Sequence, residues 1–299
     1  MTHPGIESVR SLLEESGFNS GTIADRRAAM EQMLSSSPPA GVEVRPDRLG
    51  GRPAEWIAPE VGRTDTVVLY LHGGGYCIGS LGTHRELAAR LATASGSAVA
   101  TLDYRLAPEH PFPGAVDDAC AAFVELLDRG FDPASVAIAG DSAGGGLTVA
   151  TALALRSRGG PLPAALVCLS PWADLTQSGA SYTHRAASDP MVTKAGLDEM
   201  AAAYLAGADA RVELASPVFS DHLGGLPPVM VEVGEHEVLL DDSVELVVRI
   251  RAAGGTATLT VWPELVHVFQ AFPSSLVPES DQSLEAVAAF LSDRFPPAR

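Results

Sequence analysis

Lysine is almost absent from this chain of 299 residues: Lys194 is the only one. Schiff-base catalysis and Ser-Lys dyads need a lysine amine at the reacting centre, so this scarcity argues against both. Because basic residues are few, the formal net charge at pH 7 is −17. A charge of that sign and size repels phosphate backbones and anionic lipid surfaces, so we expect no nucleic-acid partner.

Cysteine is also sparse, and its three positions, Cys77, Cys120 and Cys168, are widely spaced in apolar segments. This pattern does not fit a disulfide framework or a zinc site, and it predicts buried free thiols in a reducing compartment. No apolar run is long enough to span a membrane, and residues 1–10 lack the apolar core of a signal peptide. We therefore expect a cytoplasmic protein without a membrane span.

The chain is 46% hydrophobic, and short apolar runs alternate with helical patterns, which predicts an α/β fold. The predicted strands are Thr66–His72, Ala98–Tyr104, Ser135–Gly140, Ala164–Ser170, Pro228–Gly234 and Thr256–Trp262, preceded by extended pieces at Val42–Arg45 and Ala54–Ala58. The predicted helices are His84–Ser95, Ala115–Asp128, Gly144–Arg158, Ser243–Ala253 and Gln282–Phe295. Continuously apolar strands between helices predict a mostly parallel sheet that is covered on both faces.

Two regions lie outside this alternation. Residues 1 to about 37 have a helical pattern, and a long insertion follows the strand that ends at Ser170. A helix in the insertion carries an apolar stripe, which either docks the insertion on the body or roofs a substrate pocket, and both can hold: Leu197, Met200, Ala201, Tyr204 and Leu205. The expected organisation is an N-terminal cap segment (1–40), a first core part (41–172), inserted cap helices (173–215) and a second core part (216–299).

The motif Gly140-Asp141-Ser142-Ala143-Gly144-Gly145 stands between a predicted strand and a predicted helix. A glycine-bracketed serine in this setting is typical of a nucleophile elbow, where the turn is too tight for a bulky side chain two residues before or after the serine. The turn raises the serine Oγ above the sheet edge, beside the next backbone N–H. The motif therefore predicts Ser142 as a nucleophile, provided that the chain also supplies a base, an acid and an oxyanion hole.

A second glycine motif, His72-Gly73-Gly74-Gly75-Tyr76, follows directly on a predicted strand. Successive glycines let the backbone approach a ligand and turn two N–H groups toward one point. We predict an oxyanion hole formed by the N–H groups of Gly74, Gly75 and Ala143. We expect His72 to be structural and to bond within its own loop. No Gly-Lys-Ser/Thr follows the glycines, so a phosphate-binding loop is poorly supported.

Only one of the eight histidines, His267, follows the last predicted strand and precedes the terminal helix, where a catalytic base belongs in this fold. The loop before it in the chain carries four carboxylates: Glu235, Glu237, Asp241 and Asp242. We expect Asp242 or Ser243 to cap the next helix. Glu237 stands three residues beyond Gly234 and thirty before His267, which suits a triad acid, and Asp241 is the alternative.

These motifs, together with Tyr104-Arg105-Leu106-Ala107-Pro108-Glu109-His110, resemble those of the bacterial hormone-sensitive-lipase family of esterases. The resemblance covers nearly the whole chain. It implies an α/β-hydrolase fold with a helical cap, hydrolysis of short- to medium-chain acyl esters without metal or cofactor, and dimers that pair through the edge strand 256–262. The family acid is usually the first Asp of Asp-Pro-Leu-x-Asp, whereas this chain has Glu237 there, so we predict a Ser142–His267–Glu237 triad.

Two other functions use the same architecture. A lactone hydrolase or an amidase would need the same triad, and the sequence does not distinguish them from an ester hydrolase. The plant gibberellin receptor resembles the family but lacks the catalytic histidine. Since His267 is present here, the sequence favours an enzyme over a small-molecule receptor.

Overall fold

The computed structural model describes residues 4–16, 20–35, 37 and 39–297, and these residues build an eight-stranded sheet. The strands are β1 (Val42–Leu49), β2 (Arg52–Pro59), β3 (Arg63–Leu71), β4 (Ser97–Leu102), β5 (Val136–Asp141), β6 (Ala165–Leu169), β7 (Val229–Gly234) and β8 (Ala257–Trp262). Their order across the sheet is β1-β2-β4-β3-β5-β6-β7-β8.

The sheet is mostly parallel, as the sequence predicts. From β4 through β8 each neighbouring pair is parallel, and only the pairings β1–β2 and β2–β4 are antiparallel among the described strands. Every residue of β4, β5, β6 and β7 is buried, because helices cover both faces of this part of the sheet. The strand β8 lies at one edge, where an edge strand was expected.

Helices pack on both sides of the sheet. Their bounds are α1 (Pro4–Ser16), α2 (Ile23–Leu34), α3 (Leu81–Ser95), α4 (Gly114–Asp128), α5 (Ala143–Ser157), α6 (Ser181–His184), α7 (Lys194–Leu205), α8 (Leu240–Ala252) and α9 (Glu279–Ser292). Buried side chains of α3 and α9 form one apolar core with the sheet, and those of α4, α5, α7 and α8 form another. None of the helices in the described part of the chain has both the length and the apolar composition needed to cross a bilayer.

Most element ends lie within a few residues of the predicted ones, and two differences have a clear cause. The strands β1 and β2 are longer than predicted because they form a hairpin in which Leu49 pairs with Arg52. Gly50 and Gly51 both have positive φ, +57° and +77°, as a two-residue hairpin turn requires. The helix α8 starts three residues early, at Leu240, so the expected cap by Asp242 or Ser243 is wrong and Leu239 occupies that position.

The first helix, α1, lies against the second half of the chain. Ile6, Val9 and Leu13 of α1 are buried in one apolar cluster with Leu265, Val266 and Phe269. Arg10 of α1 also donates a hydrogen bond to the Ser188 carbonyl oxygen of the insertion. Residues 1–3, 17–19, 36 and 38 of the predicted cap segment lie outside the described residues.

Candidate active site

Ser142 stands at the turn between β5 and α5 with φ +53° and ψ −120°, an unusual conformation for a residue with a side chain. Both flanking glycines are required by close contacts. A Cβ on Gly140 would lie 2.3 Å from the Gly144 carbonyl oxygen, and one on Gly144 would lie 1.9 Å from the Leu71 carbonyl oxygen. The backbone geometry therefore matches the nucleophile elbow that the glycine spacing predicts.

His267 and Glu237 form a buried pair. Nδ1 of His267 lies 2.8 Å from Oε2 of Glu237, and the two residues are 3% and 0% exposed. The second oxygen of Glu237, Oε1, accepts hydrogen bonds from the Ser170 hydroxyl and the Gly234 N–H, both at 2.6 Å. These three contacts fix the carboxylate, so the histidine ring is oriented through its Nδ1 side.

Two opposing effects act on the His267 imidazole. Burial alone lowers its pKa, because an imidazolium loses hydration when it is buried. The charge of Glu237 and its hydrogen bond to the ring raise the pKa, and the charges of Asp189 and Asp141 act in the same direction. The net result is a pKa above the usual 6.5.

Asp241 and Asp242, two of the other carboxylates in this part of the chain, have hydrogen-bond partners other than His267. Asp241 Oδ2 accepts the Ser181 N–H at 2.9 Å, which ties the first turn of α8 to the insertion. Asp242 accepts the N–H groups of Ala173 and Asp174, at 2.9 and 2.8 Å, and its other oxygen accepts the Tyr182 hydroxyl at 2.9 Å. Burial raises the pKa of Asp242 well above its usual value. The structure thus brings Glu237, and not Asp241, to the histidine.

The glycine loop, residues 72–76, lies over the end of β3. Gly74 and Gly75 have φ of +109° and +59°, and a Cβ on them would lie 2.2 Å from the Ile78 carbonyl oxygen and 2.1 Å from Met200 Sδ. At its start, His72 Nδ1 is 2.7 Å from the Gly73 carbonyl oxygen, within the loop as expected. Burial lowers the pKa of His72 to about 3, and the neighbouring His84 adds to this effect.

Asp141, the residue before Ser142, holds the glycine loop by a hydrogen bond. Its Oδ1 accepts the Gly73 N–H at 3.0 Å and the Tyr70 hydroxyl at 2.8 Å. Its Oδ2 lies 3.4 Å from His84 Nε2. The nucleophile elbow and the glycine loop are therefore connected through one buried carboxylate.

Ser142, His267, Gly74 and Gly75 all line one mainly apolar pocket between the carboxyl ends of the strands and the helices α2 and α7. The pocket is also lined by four methionines, Met30, Met33, Met191 and Met200, and by Leu34, Ile78, Val192, Leu197, Val268 and Phe272. Ala143 follows Ser142 at the start of α5 and is fully buried. Its N–H belongs to the first turn of the helix, where backbone donors have no partner within the helix.

The apolar stripe of α7 serves both roles that its spacing allows. Leu197 and Met200 line the pocket, whereas Ala201, Tyr204 and Leu205 are buried in the main core. The three cysteines are free and buried, as predicted. Within the described ranges, no group of three or more His, Cys, Asp or Glu side chains is arranged to hold a metal ion.

Comparison with known proteins gives the same fold and chemistry. Residues 68–271 match the family described as the alpha/beta hydrolase fold. An acetyl-hydrolase from Streptomyces hygroscopicus is 44% identical to this chain and is matched over 97% of each protein. An esterase from the bacterial hormone-sensitive lipase family is 45% identical, with a TM-score of 0.95 over 99% of this chain and 100% of the other. The chain belongs to the hormone-sensitive-lipase family.

This family member is a carboxylic ester hydrolase of the α/β-hydrolase superfamily. A further similar solved structure is that of EstE5, in a crystal soaked with p-nitrophenyl butyrate. It is 41% identical, with a TM-score of 0.92 over 97% of this chain and 98% of that one.

Sequence reasoning did not identify two residues of the esterase that support the site. Ser170, at the end of β6, donates to Glu237 and accepts the Val268 N–H at 3.1 Å, so it joins the acid to the loop that carries His267. Asp189, in the insertion, accepts the N–H groups of Met191, Val192 and Val238. Burial raises the pKa of Asp189 to about 6. Neither role has a short spacing in the sequence, since Ser170 and Glu237 are 67 residues apart and Asp189 and Val238 are 49 residues apart.

Proposed function

We propose that the esterase hydrolyses short- to medium-chain acyl esters through an acyl-enzyme intermediate on Ser142. The observation that carries the proposal is the buried 2.8 Å contact between His267 and Glu237, in the pocket that Ser142 also lines. A serine, a histidine and an ionised acid in this chain order are the components of an acyl-transfer triad.

In the first step, the Ser142 hydroxyl oxygen attacks the ester carbonyl carbon while His267 takes its proton. The tetrahedral oxyanion is held by the N–H groups of Gly74, Gly75 and Ala143, and the imidazolium is stabilised by Glu237. Collapse of the intermediate breaks the bond to the leaving alcohol, which receives the proton from His267.

In the second step, His267 removes a proton from water, and the resulting oxygen nucleophile attacks the acyl-enzyme carbonyl. The same three N–H groups hold the second oxyanion. Its collapse releases the carboxylic acid and returns the proton to Ser142. Glu237 stays ionised throughout, and Ser170 and Gly234 keep its carboxylate in place by their hydrogen bonds.

Pocket size supports a small acyl group. The cavity measures about 90 Å³, whereas pockets for drug-sized ligands measure roughly 300–1,000 Å³. Met200 closes the space above Gly75. The soaking of the related EstE5 with p-nitrophenyl butyrate is consistent with a four-carbon acyl group. The proposed preference is therefore for short acyl chains, with medium chains accepted where the methionine side chains move.

We also propose the organisation expected from the sequence: a cap built from segments 1–40 and 173–215 on a core of 41–172 and 216–299. Pocket contacts from α2 and α7 support this division.

A cytoplasmic protein without a nucleic-acid partner is proposed from the buried free thiols and the net charge of −17. A homodimer through strand 256–262 is proposed because β8 is an edge strand.

Covalent labelling tests the proposed chemistry directly. A fluorophosphonate should form a single adduct that peptide mass spectrometry locates on Ser142, and Ser142→Ala should lose ester turnover by several orders of magnitude while its thermal unfolding is unchanged. Near-normal turnover in Ser142→Ala would refute the proposal. A series of p-nitrophenyl esters from acetate to dodecanoate tests the chain-length preference, and a maximum beyond about ten carbons would contradict it.

A further inference from the structure

An aromatic stack joins the glycine loop to the helix α7. The rings of Tyr76 and Tyr204 are nearly parallel, with centroids 3.8 Å apart and planes at 5°. Both side chains are fully buried, and within the described residues neither hydroxyl has a hydrogen-bond partner. The contact is therefore made by the two rings alone.

Tyr76 needs such a support because its backbone is strained. Its φ is +61°, in the left-handed region that disfavours a residue with a Cβ, and it directly follows Gly75. The Tyr76 carbonyl oxygen accepts the Ala107 N–H at 2.8 Å. Its ring also contacts the Trp172 ring, with centroids 6.0 Å apart and planes tilted by 40°. The stack on Tyr204 thus covers one face of the ring that terminates the glycine loop.

Tyr204 is itself held from the core side. Its carbonyl oxygen accepts the Phe112 N–H at 2.8 Å, and the Phe112 ring meets the Tyr204 ring edge-on at 5.8 Å and 81°. One turn earlier on α7, Met200 reaches Gly75 with its thioether and accepts a hydrogen bond from the Cys77 thiol through its carbonyl oxygen at 3.7 Å. One helix therefore contacts both the substrate space and the glycine loop.

We propose that Tyr204 is a positioning residue for the oxyanion hole. Its ring holds Tyr76 in the left-handed conformation, and this fixes the direction in which the Gly74 and Gly75 N–H groups point. The inference rests on the proposed function, because it takes these two groups as oxyanion donors. Misplaced donors weaken binding of the transition state more than binding of the substrate. Their misplacement should therefore lower kcat and leave KM nearly unchanged.

The test compares Tyr204→Leu with Tyr204→Phe. A misplacement of about 1 Å in a catalytic group costs on the order of 100-fold in rate, so Tyr204→Leu should lose about 10- to 100-fold in kcat with little change in KM. Tyr204→Phe keeps the ring and should stay within about twofold of the parent. A short alkyl trifluoromethyl ketone, which forms a tetrahedral adduct with a reactive serine, should bind Tyr204→Leu more weakly by the same factor as kcat/KM falls. The matching unfluorinated ketone should bind all three proteins alike.

Two controls keep the result interpretable. Leu205→Ala removes a neighbouring core side chain of α7 without touching the stack, and it should lower thermal stability but not kcat. If Tyr204→Leu does not fold, Tyr204→Met replaces it, since a flexible thioether fills the space without presenting a ring. Unchanged kcat in a folded variant without the ring, or an equal loss in Tyr204→Phe, would overturn the proposal. Full activity of Ser142→Ala would instead refute the proposed function on which it rests.

Discussion

Glu237 Oε2 lies 2.8 Å from His267 Nδ1, although the two residues are 30 positions apart in the chain. The glutamate reaches the ring from the turn that follows β7, and its other oxygen is bound by Ser170 and Gly234. Asp241 occupies the position of the second Asp in the family motif Asp-Pro-Leu-x-Asp, and its carboxylate accepts the Ser181 N–H. The longer glutamate side chain thus contacts the histidine from the position at which the related family motif has an aspartate.

Replacing Glu237 by glutamine should reduce kcat strongly. The amide cannot stabilise an imidazolium, and it can impose the wrong tautomer on His267; the equivalent change in a serine protease costs about 10⁴-fold. We expect a loss of about 10²- to 10⁴-fold in Glu237→Gln. Steady-state kinetics with p-nitrophenyl butyrate measure it.

Asp241→Asn is the matched control for this substitution, because it changes a carboxylate to an amide only four residues from Glu237. It should keep kcat within about threefold and lose some stability through the weaker contact with Ser181. A larger kcat loss in Asp241→Asn than in Glu237→Gln would mean that Asp241 is the acid.

The pH dependence of kcat/KM should report the raised pKa of His267. The histidine must be neutral to accept the serine proton, so activity falls as the pH decreases through the pKa of the free enzyme. Because that pKa lies above 6.5, the midpoint of the acid limb should also lie above this value. In Glu237→Gln the raising charge is lost while burial remains, so the midpoint should move down. A midpoint that is the same in both proteins would show that Glu237 does not set this pKa.

Ser170→Ala should loosen the Glu237 carboxylate while leaving that side chain in place. The variant deletes the hydroxyl that donates to Glu237 and leaves the buried Val268 N–H without this acceptor. A lost buried hydrogen bond costs about 1–3 kcal/mol, so the free energy of unfolding should fall by about that amount. We expect kcat to fall by about tenfold, since one of the contacts that orient Glu237 is gone. Chemical denaturation and kinetics test the two effects separately, and unchanged values in both would contradict the role given to Ser170.

Gly74→Ala should damage the oxyanion hole. The new Cβ would lie 2.2 Å from the Ile78 carbonyl oxygen, so the backbone of the glycine loop must shift. Losing one oxyanion donor costs about 10²- to 10³-fold in kcat, and we expect a loss of that order. Gly254→Ala is the control: Gly254 also has positive φ, +82°, but its Cβ would meet no atom within 4 Å. An equal loss of activity in both variants would trace the effect to general strain.

The fold could be predicted largely from local patterns. Apolar strands between amphipathic helices indicate a covered parallel sheet, and glycine spacing around Ser142 indicates the elbow, because both are consequences of short-range sterics. The sequence predicts the antiparallel edge too short because β1 has only one buried residue, Leu49, and β2 only two, Ala54 and Ile57, which gives a weak apolar signal. The sequence predicts the start of α8 too late because its N-cap residue, Leu239, makes no side-chain hydrogen bond and is not a residue type that marks a helix start.

The site could be predicted only in part. Ser142 and His267 are predicted from motif and chain order, and spacing favours Glu237 over Asp241, whereas the side chains that hold Glu237 in place are not predicted. Ser170 and Glu237 are 67 residues apart, and Tyr76 and Tyr204 belong to different motifs. Such contacts are set by how the sheet and the helices pack, and no spacing in the sequence encodes them.

The helix α1 has a consequence for handling the protein. Its buried side chains share an apolar cluster with the residues on both sides of His267. The helix α1 therefore supports the loop that carries His267, although it is far from that loop in sequence. We expect that deleting α1, or placing a bulky fusion directly ahead of it, displaces the loop that carries His267 and slows ester turnover, so purification tags belong after α9.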